Sequence, residues 1–183
     1  TSDEKAEICN RLSFDFLSKN TDSSLSYSLQ ATDLARRAGN DTILARSYIC
    51  RSFTLEALGE SDEAISSLDT ALQIAEKLKI DAMLYSAYSM QAKLKRQKHQ
   101  YAEALTMYLK SLETAERMQD EEKIAKAYAH LGVFYVSRNE LQNADECHLK
   151  ALEYYLKNGP ASELSTCYEN LGIVQRERKN YSK

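Results

Sequence analysis

Breakers are scarce in this sequence: its 183 residues include one Pro, five Gly and no Trp. So few of them exclude a β-sandwich or a disordered chain and point to long helices joined by short turns. Neither sign of charge dominates, since 24 Lys and Arg stand against 27 Asp and Glu for a net charge of −3. A broad attraction to phosphate backbones is thereby excluded, and no nucleic-acid partner is expected. No apolar run approaches the ~20 residues that span a bilayer, so no membrane insertion is expected. The opening Thr1-Ser2-Asp3-Glu4-Lys5 has no apolar core of a signal peptide, which leaves the compartment open. The four cysteines, Cys9, Cys50, Cys147 and Cys167, form no CxxC pair and read as small apolar residues on helix faces.

What is present is a repeat. Tyr48, Tyr88, Tyr128 and Tyr168 recur at a constant spacing of forty. Ala64, Ala104 and Ala144 keep the same spacing, as do Leu72, Leu112 and Leu152, and the small set Ala71, Ser111 and Ala151. Leu131-Gly132 returns as Leu171-Gly172. A fixed period of this length marks stacked supersecondary units that cannot bury their apolar stripes alone.

Each unit splits into two helical stretches with apolar residues at helical spacing. In the second unit the first helix spans about Asp41 to Leu58, with Asn40 or Asp41 as cap and Gly59 as stop. Ser61 is expected to cap the next helix, whose stripe is Ala64, Ile65, Leu68, Ala71, Leu72 and Ala75. The alanines stand where antiparallel helices cross closely, and the tyrosines are large enough to fill the space between hairpins. The opening stretch up to Asn40 is a weaker copy, with Ser24, Ala31 and Ala35 in register and Ile8 in the tyrosine place. Gly159-Pro160 breaks the chain before a last helix. The second helix of that last unit should begin near Asn180-Tyr181, so the chain reads as a piece of a longer protein.

These residues resemble the tetratricopeptide repeat family. The fourth unit carries the pattern most fully, in Tyr128, Leu131, Gly132, Tyr135, Ala144, Ala151 and Leu152. The second unit has Arg51-Ser52 in place of Leu-Gly; the third has Gln91-Ala92 there and His99 at the turn glycine. The usual family period is 34, so 40 implies longer helices. The resemblance implies an all-α, right-handed superhelical solenoid of antiparallel hairpins. It would hold about four and a half repeats in a single domain over 1–183, with units near 1–40, 41–80, 81–120, 121–160 and a partial 161–183. The segment from Lys19 to Tyr48 is also similar to the repeat region of bacterial sensor histidine kinases and related helix-turn-helix regulators.

No phosphate-binding loop, HExxH or GxSxG motif is present. His99 lies in the third unit, His130 and His148 could approach each other within the fourth, and His148 falls on a packing face, so no catalytic, metal or cofactor site is expected. The acidic runs Asp62-Glu63 and Asp120-Glu121-Glu122 suit helix N-termini, and the basic run Lys93 to Lys98 suits a helix end. The resemblance places a binding groove on the first helix of each hairpin. Its inward positions would include Ile49, Phe53, Glu56, Ser86, Met90, Lys93, Arg96, Lys126, His130, Val133 and Val136. Ile49 and Val133 serve equally well as packing residues.

The carboxylate clamp of chaperone-binding members is missing, since Cys9, Ser13, Phe53, Ser86 and Met90 fill its places. The resemblance therefore implies a protein- or peptide-binding module, not an enzyme, whose groove residues are Phe53, Met90, Lys93, Arg96, Lys126 and His130. The partner would be an acidic or amphipathic segment, and the module part of a bacterial two-component or other signal-transduction protein. Alternatives are an architectural array that dimerises through its open C-terminal repeat, and a sensor of a small ligand or signalling peptide in a transcriptional regulator. The compartment would be periplasmic under the sensor-kinase likeness and cytoplasmic otherwise.

Overall fold

The computed structural model describes residues 1–181, and every element among them is a helix. Two compact units divide the chain, Thr1–His99 and a second from Gln100. In the first unit α1 (Ser2–Phe16) and α2 (Thr21–Ala38) form one hairpin. A second pairs α3 (Asp41–Ala57) with α4 (Ser61–Leu78), and α5 (Asp81–Gln97) follows. The odd-numbered helices also pack side by side, α1 on α3 and α3 on α5. The second unit holds α6 (Tyr101–Arg117), the hairpin of α7 (Glu121–Ser137) and α8 (Leu141–Asn158), and α9 (Ala161–Tyr181).

Small side chains fill the crossings inside each unit. Ser24 and Ala64 in the first, and Ala104 and Ala144 in the second, are fully buried. So are Ala31, Ala71, Ser111 and Ala151, together with Ala35, Ala75 and Ala115. A larger residue at any of these would force the axes beyond the ~8–10 Å at which packed helices sit.

Sharp turns set the period. Gly39 and Gly59 have φ of 69° and 81°. Lys79, His99, Gln119 and Asn139 take the same left-handed backbone, one at every twentieth position. Side-chain caps open α1, α2, α3 and α7. Asn20, Asn40 and Asp120 accept hydrogen bonds from the backbone N–H three residues on. The cap expected of Ser61 is not made: Glu60 holds the N-cap without a side-chain bond, because a single residue follows the Gly59 turn and Ser61 is already helical.

Three other expectations fail for physical reasons. First, α1 sits one residue back, ending at Phe16 where the period set by Ala57, Gln97 and Ser137 would end it at Leu17. The cause is its turn over 17–20, which has an extra residue and no left-handed one. Ile8 therefore does not fill the tyrosine place and is 46% exposed. Second, the tyrosines do not all fill gaps: Tyr88 is buried, Tyr48 and Tyr128 half-buried, and Tyr168 56% exposed. Third, no turn precedes Asn180, since the good helix formers Gln175 to Lys179 carry α9 on to Tyr181. Pro160 stands just before α9, its carbonyl accepting from the N–H of Glu163 and Leu164.

Cations at the ends of α5, α7 and α9 reach the start of the preceding even-numbered helix. Lys98 pairs with Asp62. Arg138 lies 4.7 Å over the Tyr101 ring. Arg178 pairs with Asp145 at 3.0 Å and donates to the Leu141 carbonyl. Higher on the helices, Arg46 pairs with Glu7 at 2.5 Å and Lys93 with Glu56 at 2.9 Å.

Inside the α7–α8 hairpin Gly132 lies close against the His148 ring. A Cβ on Gly132 would stand 2.4–2.6 Å from the imidazole ring, whereas one on Gly172 would meet nothing. His148 is fully buried, and neither ring nitrogen has a hydrogen-bond partner. Burial pushes its pKa below the ordinary histidine value, while Asp145 opposes that shift.

These features set the outcomes of substitution at the turns and at the two helical glycines. Lys79 and Gln119 are exposed, so Lys79→Gly and Gln119→Gly should each raise unfolding free energy by about 0.5–1 kcal/mol through relief of the left-handed strain. Gly59→Ala should lower it by about 1 kcal/mol, although the added Cβ has open space. Urea denaturation measures all three. Gly132→Ala should destabilise by about 1–2 kcal/mol, overpacking outweighing the gain in helix propensity, while Gly172→Ala should stabilise by about 0.5–1 kcal/mol. A double cycle with His148→Ala should show strong coupling to residue 132 alone.

The pH dependence follows from His148. The unfolded chain binds the proton more readily than the folded one, so stability should fall as pH drops below ~6.5. Thermal melts between pH 7.5 and 5 should show that slope reduced in His148→Phe.

Candidate functional site

The six groove candidates divide between the units. Phe53, Met90, Lys93 and Arg96 belong to the first; Lys126 and His130 to the second.

In the first unit a continuous face forms across three helices. The Phe53 ring on α3 meets the Phe14 ring of α1 edge-on at 5.5 Å between centroids. One turn beyond Phe53, Glu56 accepts the Lys93 ammonium of α5 at 2.9 Å. Arg96 lies one turn beyond Lys93 and, half-buried, has its Nε covered without a hydrogen-bond partner. The face thus has an aromatic end with Phe14 52% exposed, a neutralised ion pair, and an arginine that no carboxylate among the described residues holds. Such an arginine favours a partner's carboxylate, which its planar fork can bind through two hydrogen bonds.

Met90 does not join this face. It is only 4% exposed and packs in the core of the unit, so it is unable to serve as a surface anchor. Ile49 is buried as well, in keeping with its packing alternative. Ser13, a place read for the clamp, is fully buried and bonded to the hydroxyls of Ser24 and Thr54 at 3.2 and 3.3 Å.

Phe14 was not anticipated. The one-residue setback of α1 moves it, and the signal was the turn Leu17-Ser18-Lys19-Asn20, which has no glycine and one residue more than Leu58-Gly59-Glu60.

In the second unit Lys126 pairs with Glu122 of its own helix at 2.6 Å. That hydrogen bond holds its pKa above the ordinary lysine value. His130 is exposed and tilts against the Tyr108 ring at 6.4 Å. A separate cleft opens between α7 and α8, of about 230 Å³, with Ile124, Tyr128, Lys150 and Tyr154 among its walls. The signal for it was present as two helical rows, Ile124 with Tyr128 and Lys150 with Tyr154 and Lys157. Among the described residues no three His, Cys, Asp or Glu side chains gather as a metal-binding group. Cys50 and Cys147 have thiols pushed up to about 11 by burial, which suppresses thiolate chemistry.

No family model matches the sequence, and no curated protein matches it. Solved structures match its fold. Aspartyl phosphate phosphatase F from Bacillus subtilis superposes with a TM-score of 0.85 at 20% identity, over 99% of this chain and 49% of that one. A Rap protein complexed with competence and sporulation factor gives 0.79 at 19%, over 96% of this chain and 55% of that one. The nearly identical TPR-like repeats of a putative kinesin light chain from Podosopora anserina give 0.68 at 14%, over 96% and 89%. The chain spans about half the length of the phosphatase and Rap structures. In fold, then, it is an all-α, tetratricopeptide-like helical-repeat protein.

Proposed function

We propose that the chain is a binding domain without catalytic activity, which takes an extended protein or peptide segment on the α1–α3–α5 face of its first unit. One observation carries this reading: the aromatic pair Phe14 and Phe53 lies in line with the Glu56–Lys93 pair, followed by Arg96, which no carboxylate among the described residues holds. Aromatic residues and arginine dominate the energetics of such contacts. The matching segment has an apolar anchor for the two rings and a carboxylate for Arg96. A Rap protein of similar fold is known in complex with competence and sporulation factor, which supports a peptide as the occupant. The same likeness, with that to an aspartyl phosphate phosphatase, supports placing this chain in the interaction or sensory region of a bacterial signal-transduction protein.

The test is a peptide-array screen followed by calorimetry on the best binders. Phe53→Ala should weaken them by about thirtyfold, the loss typical of an aromatic hot spot. Arg96→Glu should select against acidic peptides while leaving the circular dichroism spectrum unchanged. Unaltered affinity in the double variant, with its fold intact, would overturn the reading.

A further inference from the structure

The tyrosine column has a break in it. In the first unit Tyr48 accepts a hydrogen bond from Arg36 at 2.8 Å, and Tyr88 donates one to Glu76 at 2.8 Å, each to the even-numbered helix before it. In the second unit the Tyr128 hydroxyl makes no hydrogen bond among the described residues. Its ring instead carries the Lys150 ammonium at 4.6 Å, and Lys150 has no carboxylate partner among them. Both groups face the cleft between α7 and α8, whose walls include Ile124, Ala125 and Tyr154. Glu121, also on its wall, is an anion at the start of α7 with no ion-pair partner among the described residues, while Glu153 and Lys157 on the same wall answer each other at 2.9 Å.

Length and charge narrow the occupant. Seven residues separate Glu121 from Tyr128, which is ~10 Å along a helix. An extended chain covers that distance in about three residues. We propose that this cleft binds a three-residue stretch of an extended peptide, acidic at one end, apolar in the middle and basic at the other. The acidic side chain meets Lys150 and the Tyr128 hydroxyl, the apolar one rests on Ile124 and Tyr154, and the basic one meets Glu121. This site lies wholly in the second unit and does not depend on the reading of the first.

The test is a titration of the full chain, following the Ile124 methyl signal by NMR, with acetyl-Asp-Leu-Lys-amide as probe. A saturable shift is expected. Acetyl-Asn-Leu-Lys-amide should bind about threefold to fivefold more weakly, the size of one exposed ion pair. Lys150→Met should weaken the Asp probe by the same factor and leave the Asn probe unaffected, since the pair is already broken. Glu121→Gln should act likewise against a probe in which Lys is replaced by norleucine. Acetyl-Asp-Ser-Lys-amide should lose binding. No saturable shift, equal affinity for the Asp and Asn probes, or losses that simply multiply in the Lys150→Met cycle would overturn the proposal.

Discussion

The close approach of helices at columns of very small side chains is the constraint on which each unit rests. Ser24 and Ala64 in the first unit, Ala104 and Ala144 in the second, and the further set Ala31, Ala71, Ser111 and Ala151 are all fully buried. Once axes are held this near, each stripe is buried by its neighbour and the turns must close within three residues or so. That is why a left-handed residue appears at every twentieth position from 39 to 139, even where lysine, glutamine or histidine must adopt it. Packing selects the turn, and the turn sets the period.

Much of the fold was legible because such packing recurs. The spacings of forty located the hairpins, and Asn40 and Gly59 act as a capping acceptor and a left-handed stop. What recurrence hides is any departure in length. One extra turn residue displaces α1, so Ile8 and Phe14 change roles without any change in their own neighbours in sequence. Ser61 looked like a cap on residue type, but whether it lies outside or inside the helix depends on where the preceding turn releases the chain. The candidate site was legible only in part for a related reason. Met90 and Phe53 are both large and apolar at inward spacing, and only the packing of three helices decides that one is core and the other surface.

The charges follow a second logic. The run from Lys93 to Lys98 looks in sequence like a solvated helix end, but its outer members reach back to the preceding hairpin, Lys93 to Glu56 and Lys98 to Asp62. Arg178 does the same toward Asp145 in the second unit. Exposed pairs of this kind contribute little stability, typically below about 1 kcal/mol. Their value is in register: a slip of one helix turn would part Lys93 from Glu56 and Lys98 from Asp62.

This division sorts the cations that a partner could use. Lys93 and Lys126 are already answered by Glu56 and Glu122, so an incoming carboxylate would have to compete with a bond that exists. Arg96 and Lys150 have no such competitor among the described residues; one lies next to the Glu56–Lys93 pair and the other over a tyrosine ring. An unpaired cation attracts an anion at low cost, because nothing must first be broken, and at Lys150 the ring also displaces part of the water. Residue type alone would rank all four cations together. Only the pairing pattern, fixed by which helix stands beside which, separates the charges that hold each unit in register from those left free to meet another molecule.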